Sequence, residues 1–172
     1  MGKAKILVVN DSLAQRAIFK DVLDGNGYAV VEAGDGREGL AMAAAESPDV
    51  VISDVSMPIM DGLQMVRLLK SDARTKYIPV ICVSATYQDM ATKLRALTEA
   101  GAEEYFYVPQ NTEELLAKVL VMLRIRKIYM ELIGQNNALK EFTDASVVKE
   151  FEIISLKKKV AELEAELKKH KK

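Results

Sequence analysis

Five short apolar runs rich in β-branched residues, at 5–9, 28–33, 50–53, 80–84 and 105–108, are each followed by a stretch with helical spacing or by breaker residues. Such strand–helix alternation predicts an α/β fold built on a parallel sheet. After the first run, Ala14, Ala17, Ile18 and Val22 recur at the spacing of an amphipathic helix, which should stop at the turn Asp24-Gly25-Asn26-Gly27. After the fourth, Met90, Leu94 and Leu97 repeat the pattern as far as Gly101.

At 172 residues the chain accommodates one ordinary domain and an appendage. Hydrophobic residues at 49% and charged residues at 28% exclude a disordered chain. The charge is unevenly spread. Residues 1–123 carry 12 basic against 17 acidic side chains, and residues 124–172 carry 12 against 8. The tail's basic excess lies mostly in Lys157, Lys158, Lys159 and the last five residues, where it reads as a solvated helix face, so no nucleic-acid contact is expected. The single cysteine, Cys82, lies inside the fourth apolar run and excludes an internal disulfide. The first residues enter a strand without a signal-peptide pattern, and no run is long enough to cross a bilayer, so no membrane association and a cytoplasmic location are expected.

The fifth helix should open at Asn111, with Glu114 at the reciprocal capping-box position. From residue 125 a seven-residue repeat holds, with Ile125, Leu132, Leu139, Ile153, Val160 and Leu167 at a and Ile128, Phe142, Leu156 and Leu163 at d. The remaining core positions are polar: Ser146, Gln135, Lys149 and His170. A single surface helix can show such a stripe, but the flanking charges favour a coiled coil, because Glu152–Lys157, Lys159–Glu164 and Glu166–Lys171 match between chains of a parallel pair. The expected organisation is therefore a domain over 1–123 and a dimerising coiled-coil helix over 124–172, forming a parallel homodimer.

Doubly wound parallel sheets bind ligands at the carboxyl ends of their strands. Those ends carry Asn10-Asp11, Asp54, Ser84-Ala85 and Val108-Pro109. Two carboxylates and a hydroxyl should thus converge. A bare pair of aspartates is a weak signal, since strand-to-helix loops use Asp freely as a cap.

The run Asp54-Val55-Ser56-Met57-Pro58-Ile59-Met60-Asp61-Gly62 is more specific, and resembles the phosphoacceptor loop of the receiver domains of two-component response regulators. Ile6 to Ser12 resembles that family's first strand and acidic pair, Val83-Ser84-Ala85 its fourth-strand hydroxyl motif, and Gly101-Ala102 the approach to its fifth strand. The resemblance covers about residues 4–123. It implies a flavodoxin-like sheet in the order 2-1-3-4-5, with Asp54 accepting phosphate from a sensor histidine kinase or phosphotransfer protein. It also implies a Mg²⁺ ion held by Asp11, Asp54 and the backbone carbonyl of Ser56. Ser84 would hydrogen-bond the phosphoryl group, and its movement would let Tyr105 turn inward. No enzyme activity is implied for these 172 residues.

Two departures from the family pattern stand out. Asn10 occupies a position where an acid is usual; its carbonyl can still orient a metal-bound water but adds no charge, so metal binding should be weak. Val108 stands where the family has a lysine that contacts the phosphoryl group, and no Lys or Arg lies between Arg95 and Lys118 to replace it. A unit charge at 4 Å is worth roughly 4 kcal/mol at an effective dielectric near 20, before desolvation, so its loss weighs heavily. A pseudo-receiver, acting as a phosphorylation-independent dimeric interaction module, is therefore the competing reading. A third is the regulatory front of a longer enzyme. The bond between Val108 and Pro109 is expected to be cis, as the resemblance implies.

Overall fold

The computed structural model describes residues 2–85, 90–107 and 112–170, with the side chains of 144–148 and 161–170 outside that description. The elements run β1 (Lys5–Val9), α1 (Leu13–Gly25), β2 (Ala29–Ala33), α2 (Gly36–Glu46), β3 (Val50–Asp54), α3 (Gly62–Ser71), β4 (Val80–Ser84), α4 (Met90–Arg95), β5 (Glu104–Tyr107) and α5 (Thr112–His170). A π-helical turn, Ala96–Ala100, continues α4. The five strands pair in parallel in the expected order β2-β1-β3-β4-β5.

Why the strands read as unbroken apolar runs is plain from what covers them. Alternate residues of each strand enter opposite layers. Leu7, Val9, Val51, Val80 and Cys82 join α3 residues Met65, Val66 and Leu69 on one face. Ile6, Val8, Ile52, Ile81 and Val83 join Phe19 and Leu23 of α1 and Leu115, Val119 and Met122 of α5 on the other. Cys82 is buried, and the burial pushes its thiol up to about 12, so it stays a protonated core residue.

Two helical faces differ from the sequence reading. In α1 the buried residues are Phe19 and Leu23, while Ala14 and Ala17 are exposed and Ile18 is 61% exposed. The chain offers two overlapping apolar stripes there, and the bulkier one fills the space over Ile6 and Val8. In α4, Met90 and Leu94 face solvent, and Ala96 and Ala100 of the π turn are buried instead. The wider turn rotates the following residues relative to a continuous α-helix, so an i, i+4 extrapolation misplaces the buried face.

Helix starts follow side-chain caps. Ser12 Oγ accepts from the N–H of Gln15, Asp35 Oδ1 from Arg37 and Glu38, and Asp61 Oδ1 from Gln64. The expected cap at Asn111 and the bond between Val108 and Pro109 lie outside the described residues.

The chain divides into two compact units, Met1–Tyr129 and Met130–Lys172. Within the first unit, Ile125 packs against the α1–α5 layer, and the Tyr129 ring lies 5.9 Å from that of Tyr77. The second unit is helix alone. No helix among the described residues is long and apolar enough to cross a membrane.

A polar clasp closes the amino-terminal edge of the sheet. Lys70 Nζ donates to both carboxylate oxygens of Glu103, at 2.7 and 2.8 Å, and to the carbonyl of Ile78 at 2.8 Å. Glu103 in turn accepts from the N–H of Val80 at 2.8 Å. Both side chains of the ion pair are under one-fifth exposed, so removing one leaves the other charge poorly solvated. Lys70→Met is expected to lower unfolding stability by about 2 kcal/mol, read as a lower urea midpoint with an unchanged slope.

Candidate functional site

The register of the strands gathers the site. Val9 pairs with Ser53, so the residues that follow, Asn10 and Asp54, leave the sheet side by side. Asp54 pairs with Val83, which places Ser84 one step beyond it on the neighbouring strand. Tyr105 pairs with Cys82, one strand further out. Three stretches distant in sequence, ending in Asn10, Asp54 and Ser84, thus meet at one edge because parallel strands all point the same way, with Tyr105 two residues short of that edge on β5.

Asp54 is half-buried and Asp11 exposed. One Asp54 carboxylate oxygen accepts the N–H of Val55 at 2.9 Å. Burial is the main cause that raises the proton affinity of this carboxyl; the nearby charge of Asp11 adds to it, and the N–H groups of Val55 and Ser56 oppose it. Asp11 and Asp54 are therefore close enough to repel.

Asn10 is buried and its amide is engaged locally. Its side-chain oxygen accepts the N–H of Ser12 at 2.8 Å, and its NH₂ donates to Gln15 Oε1 at 2.8 Å. Arg16 donates from its guanidinium to the Asn10 backbone carbonyl. These bonds fold the turn from β1 into α1. Ser84 is buried, and Tyr105 is fully buried, its ring edge-on to Tyr107 with centroids 5.8 Å apart. Tyr105 thus already lies inside the core. Val108 is outside the described residues.

The loop after Asp54 is tightly held. Val55 donates to the carbonyl of Val83 at 3.1 Å, Gly62 to that of Val55 at 2.9 Å, and Gly36 to that of Met60 at 3.3 Å. A Cβ at Gly62 would sit 2.0 Å from the carbonyl oxygen of Asp54 and 2.9 Å from Ser53 Oγ, which explains the glycine after Asp61. Ile59 has a φ of +69°, a left-handed conformation that costs a β-branched residue roughly 1–2 kcal/mol. Strain of this kind collects at functional sites.

Beside the loop lies a cleft of about 470 Å³, lined by Asp11, Ser56, Met57, Asp61, Thr92 and Arg95 among others. Thr92 and Arg95, one helical turn apart on α4, were not singled out as site residues from sequence. The only signal was Arg95 as the last base before a gap reaching to Lys118.

The donor set suits a hard divalent cation: two carboxylates whose mutual repulsion a cation relieves, plus the carbonyl of exposed Ser56. Among the described residues no three His, Cys, Asp or Glu cluster in a way that could hold a metal. The remaining ligands of a Mg²⁺ ion would be waters.

Because the folded-state proton affinity of Asp54 is raised, its contribution to stability is full where the carboxyl is protonated, below its unfolded value, and is lost as pH rises through the raised value. Asp54→Asn is therefore expected to raise the thermal midpoint at neutral pH without divalent ions. That gain should shrink towards zero below the ordinary carboxylate range. Calorimetry of both chains across pH checks the sign.

The model of the family described as "Response regulator receiver domain" matches residues 6–120. Response regulator MprA of Mycolicibacterium vanbaalenii is 40% identical over 120 residues, covering 70% of this chain and 50% of that protein. MprA of Mycobacterium ulcerans is 36% identical over 143 residues, covering 83% and 60%. The chain spans about half the length of the curated relatives it matches. Among solved structures, the chemotaxis protein CheY4 of Vibrio cholerae superposes with a TM-score of 0.65 at 33% identity, covering 70% of this chain and 99% of that one. The response regulator domain of Thermotoga maritima CheB does so at 0.62 and 30%, covering 71% and 97%. The doubly wound sheet, the carboxylates at its edge and these matches together place the chain in the response regulator receiver domain family of two-component signalling.

Proposed function

We propose that Asp54 is the phosphoacceptor and that the state of its carboxylate is relayed, in the cytoplasm, to a coiled-coil dimer. The observation that carries this is the juxtaposition of a half-buried Asp54 with Asp11 and Ser84 on adjoining strand ends. The donor is a phosphohistidine on a sensor kinase or phosphotransfer protein. A carboxylate oxygen of Asp54 attacks phosphorus, the O–P bond forms as the P–N bond breaks, and the leaving imidazole keeps the electron pair and takes up a proton. When bound, Mg²⁺ neutralises charge on the transferring phosphoryl group. Asp11, Asp54 and the Ser56 carbonyl would hold it, and the Ser84 hydroxyl would donate to a phosphoryl oxygen.

The pseudo-receiver reading is favoured by a different pair of observations. The Asn10 side chain is committed to Ser12 and Gln15, and the Tyr105 side chain is fully buried in the core. One measurement separates the two. Incubated with Mg²⁺ and acetyl phosphate, the chain is expected to gain the mass of one phosphoryl group, Asp54→Asn none, and Mg²⁺ titration should be weak in the first and weaker in the second. No mass gain in the unaltered chain would leave the pseudo-receiver.

The division we propose is a receiver over 1–123 and a dimerising helix over 124–172. Ile128, Leu132, Leu139, Phe142, Ile153, Leu156 and Val160 are all at least half exposed on the lone helix, and pairing would remove them from water. Ile125 lies partly against the receiver layer, and the side chains of Leu163 and Leu167 are outside the described residues. Light scattering should give a mass of two chains, falling to one for the double variant Ile153→Glu, Leu156→Glu. A parallel pair sets a positions opposite each other, so Val160→Cys should form an interchain disulfide on oxidation; a dimer that fails to do so is antiparallel.

A further inference from the structure

We propose that Arg95 supplies the positive charge that grips the phosphoryl group on Asp54, an assignment that rests on the phosphoacceptor reading above. The cleft beside the Asp54 loop has Asp11, Ser56 and Asp61 on one side and α4 on the other, contributing Thr92 and Arg95. Of the described residues lining that cleft, Arg95 is the one base. Around it the chemistry is one-sided. Asp11 already raises the proton affinity of Asp54 by its charge, and Asp61 adds a further carboxyl to the same cleft. Phosphorylation would replace the single charge of the Asp54 carboxylate with the two charges of a phosphoryl group at this edge. A single divalent ion offsets only part of that sum.

Arg95 is able to answer it. Its ionic contact in this structure is to Glu99, Nε to Oε2 at 3.8 Å, at the limit of an ion pair and with both side chains more than half exposed. Such a pair, one turn along a surface helix, is worth only about 0.3–0.5 kcal/mol. An acyl phosphate offers more, because the planar guanidinium presents parallel donors that match two phosphoryl oxygens at once. Arg95 also stands where α4 gives way to the π turn Ala96–Ala100. π turns of this kind are frequent at functional positions. Here it seats Ala96 and Ala100 in the core while leaving Arg95 on the outer side, facing the cleft. The cation thus comes from a helix flank, and Val108 at the end of the fifth apolar run need not supply it.

The test compares the unaltered full chain with Arg95→Gln, Arg95→Lys and, as a control for net charge, Arg74→Gln, whose side chain is exposed and outside this cleft. Each is incubated with Mg²⁺ and acetyl phosphate, and the rate of gain of one phosphoryl mass is followed by intact-mass measurement. Thermal midpoints are recorded in parallel. Arg95→Gln is expected to slow the gain about tenfold, the size of one lost charge-assisted contact, with an unchanged midpoint. Arg95→Lys, which keeps the charge but not the paired donors, should recover only part of the rate, and Arg74→Gln should match the unaltered chain. Equal rates for the unaltered chain and Arg95→Gln would overturn the role of Arg95 while leaving Asp54 as acceptor. Equal slowing by Arg95→Gln and Arg74→Gln would overturn it as well, since long-range charge would then account for the effect. No phosphoryl gain in the unaltered chain would overturn the acceptor reading, and this assignment with it.

Discussion

Two carboxylates, Asp11 and Asp54, repel each other at the edge of a sheet whose interior is apolar on both faces, and most of what surrounds them follows from that placement. β1, β3 and β4 are covered by helices on both sides, so polar side chains are admitted only where the strands stop. Parallel pairing brings all of those stops to one edge. Ser53, one residue earlier, is wholly buried and gives its hydroxyl proton to the backbone carbonyl of Asp54, whereas Asp54 itself reaches the half-open zone. One position along a strand therefore separates a fully buried polar group from a half-buried carboxylate.

Holding a charge there requires the loop to be rigid. Two N–H groups, from Val55 and Ser56, lower the cost of the Asp54 carboxylate but do not cancel it. They are aimed by a loop that returns on itself through the bond from Gly62 to Val55, and the return is so close that no side chain fits at Gly62. The left-handed Ile59 at the far point of the same loop stores strain that the rest of the loop sustains. The phosphoryl transfer proposed for Asp54 would need such a stiff frame, because relaxation of the frame would dissipate the preorganisation.

Much of this was legible in the sequence, for reasons that differ from residue to residue. The central strands β1, β3 and β4 announced themselves because strands buried on both faces leave continuous β-branched runs, and Asp54 because Met-Pro and Asp-Gly follow it at fixed offsets. The buried face of α1 was misread because Ala14, Ala17 and Ile18 fit helical spacing as well as Phe19 and Leu23 do; only the space above Ile6 and Val8 decides between them. No periodicity rule contains a π turn, so the exposure of Met90 and Leu94 was not foreseeable. Arg95 comes to the Asp11 and Asp61 cleft across the sheet's connectivity, and the commitment of the Asn10 amide depends on a turn geometry that residue identity alone does not specify.

The relation between site and tail turns on where the heptad repeat begins. Ile125 takes the first a position of that repeat, yet in the structure it packs beside the layer that holds Leu115, Val119 and Met122. Arg126 is partly buried within reach of the charge of Asp49, and Tyr129 meets Tyr77, so the last turns of α5 inside the first compact unit are tied to the ends of the sheet opposite Asp54. A side chain cannot fill a core layer and a dimer seam in full at the same time. In the proposed dimer, whatever fraction of Ile125 the receiver layer holds would be withheld from a partner helix, and the exposed Ile128 and Leu132 would be the first positions wholly available for pairing. In the dimer proposed above, a change that loosens the α5 layer would free Ile125 for the seam, and a change that tightens it would withhold it.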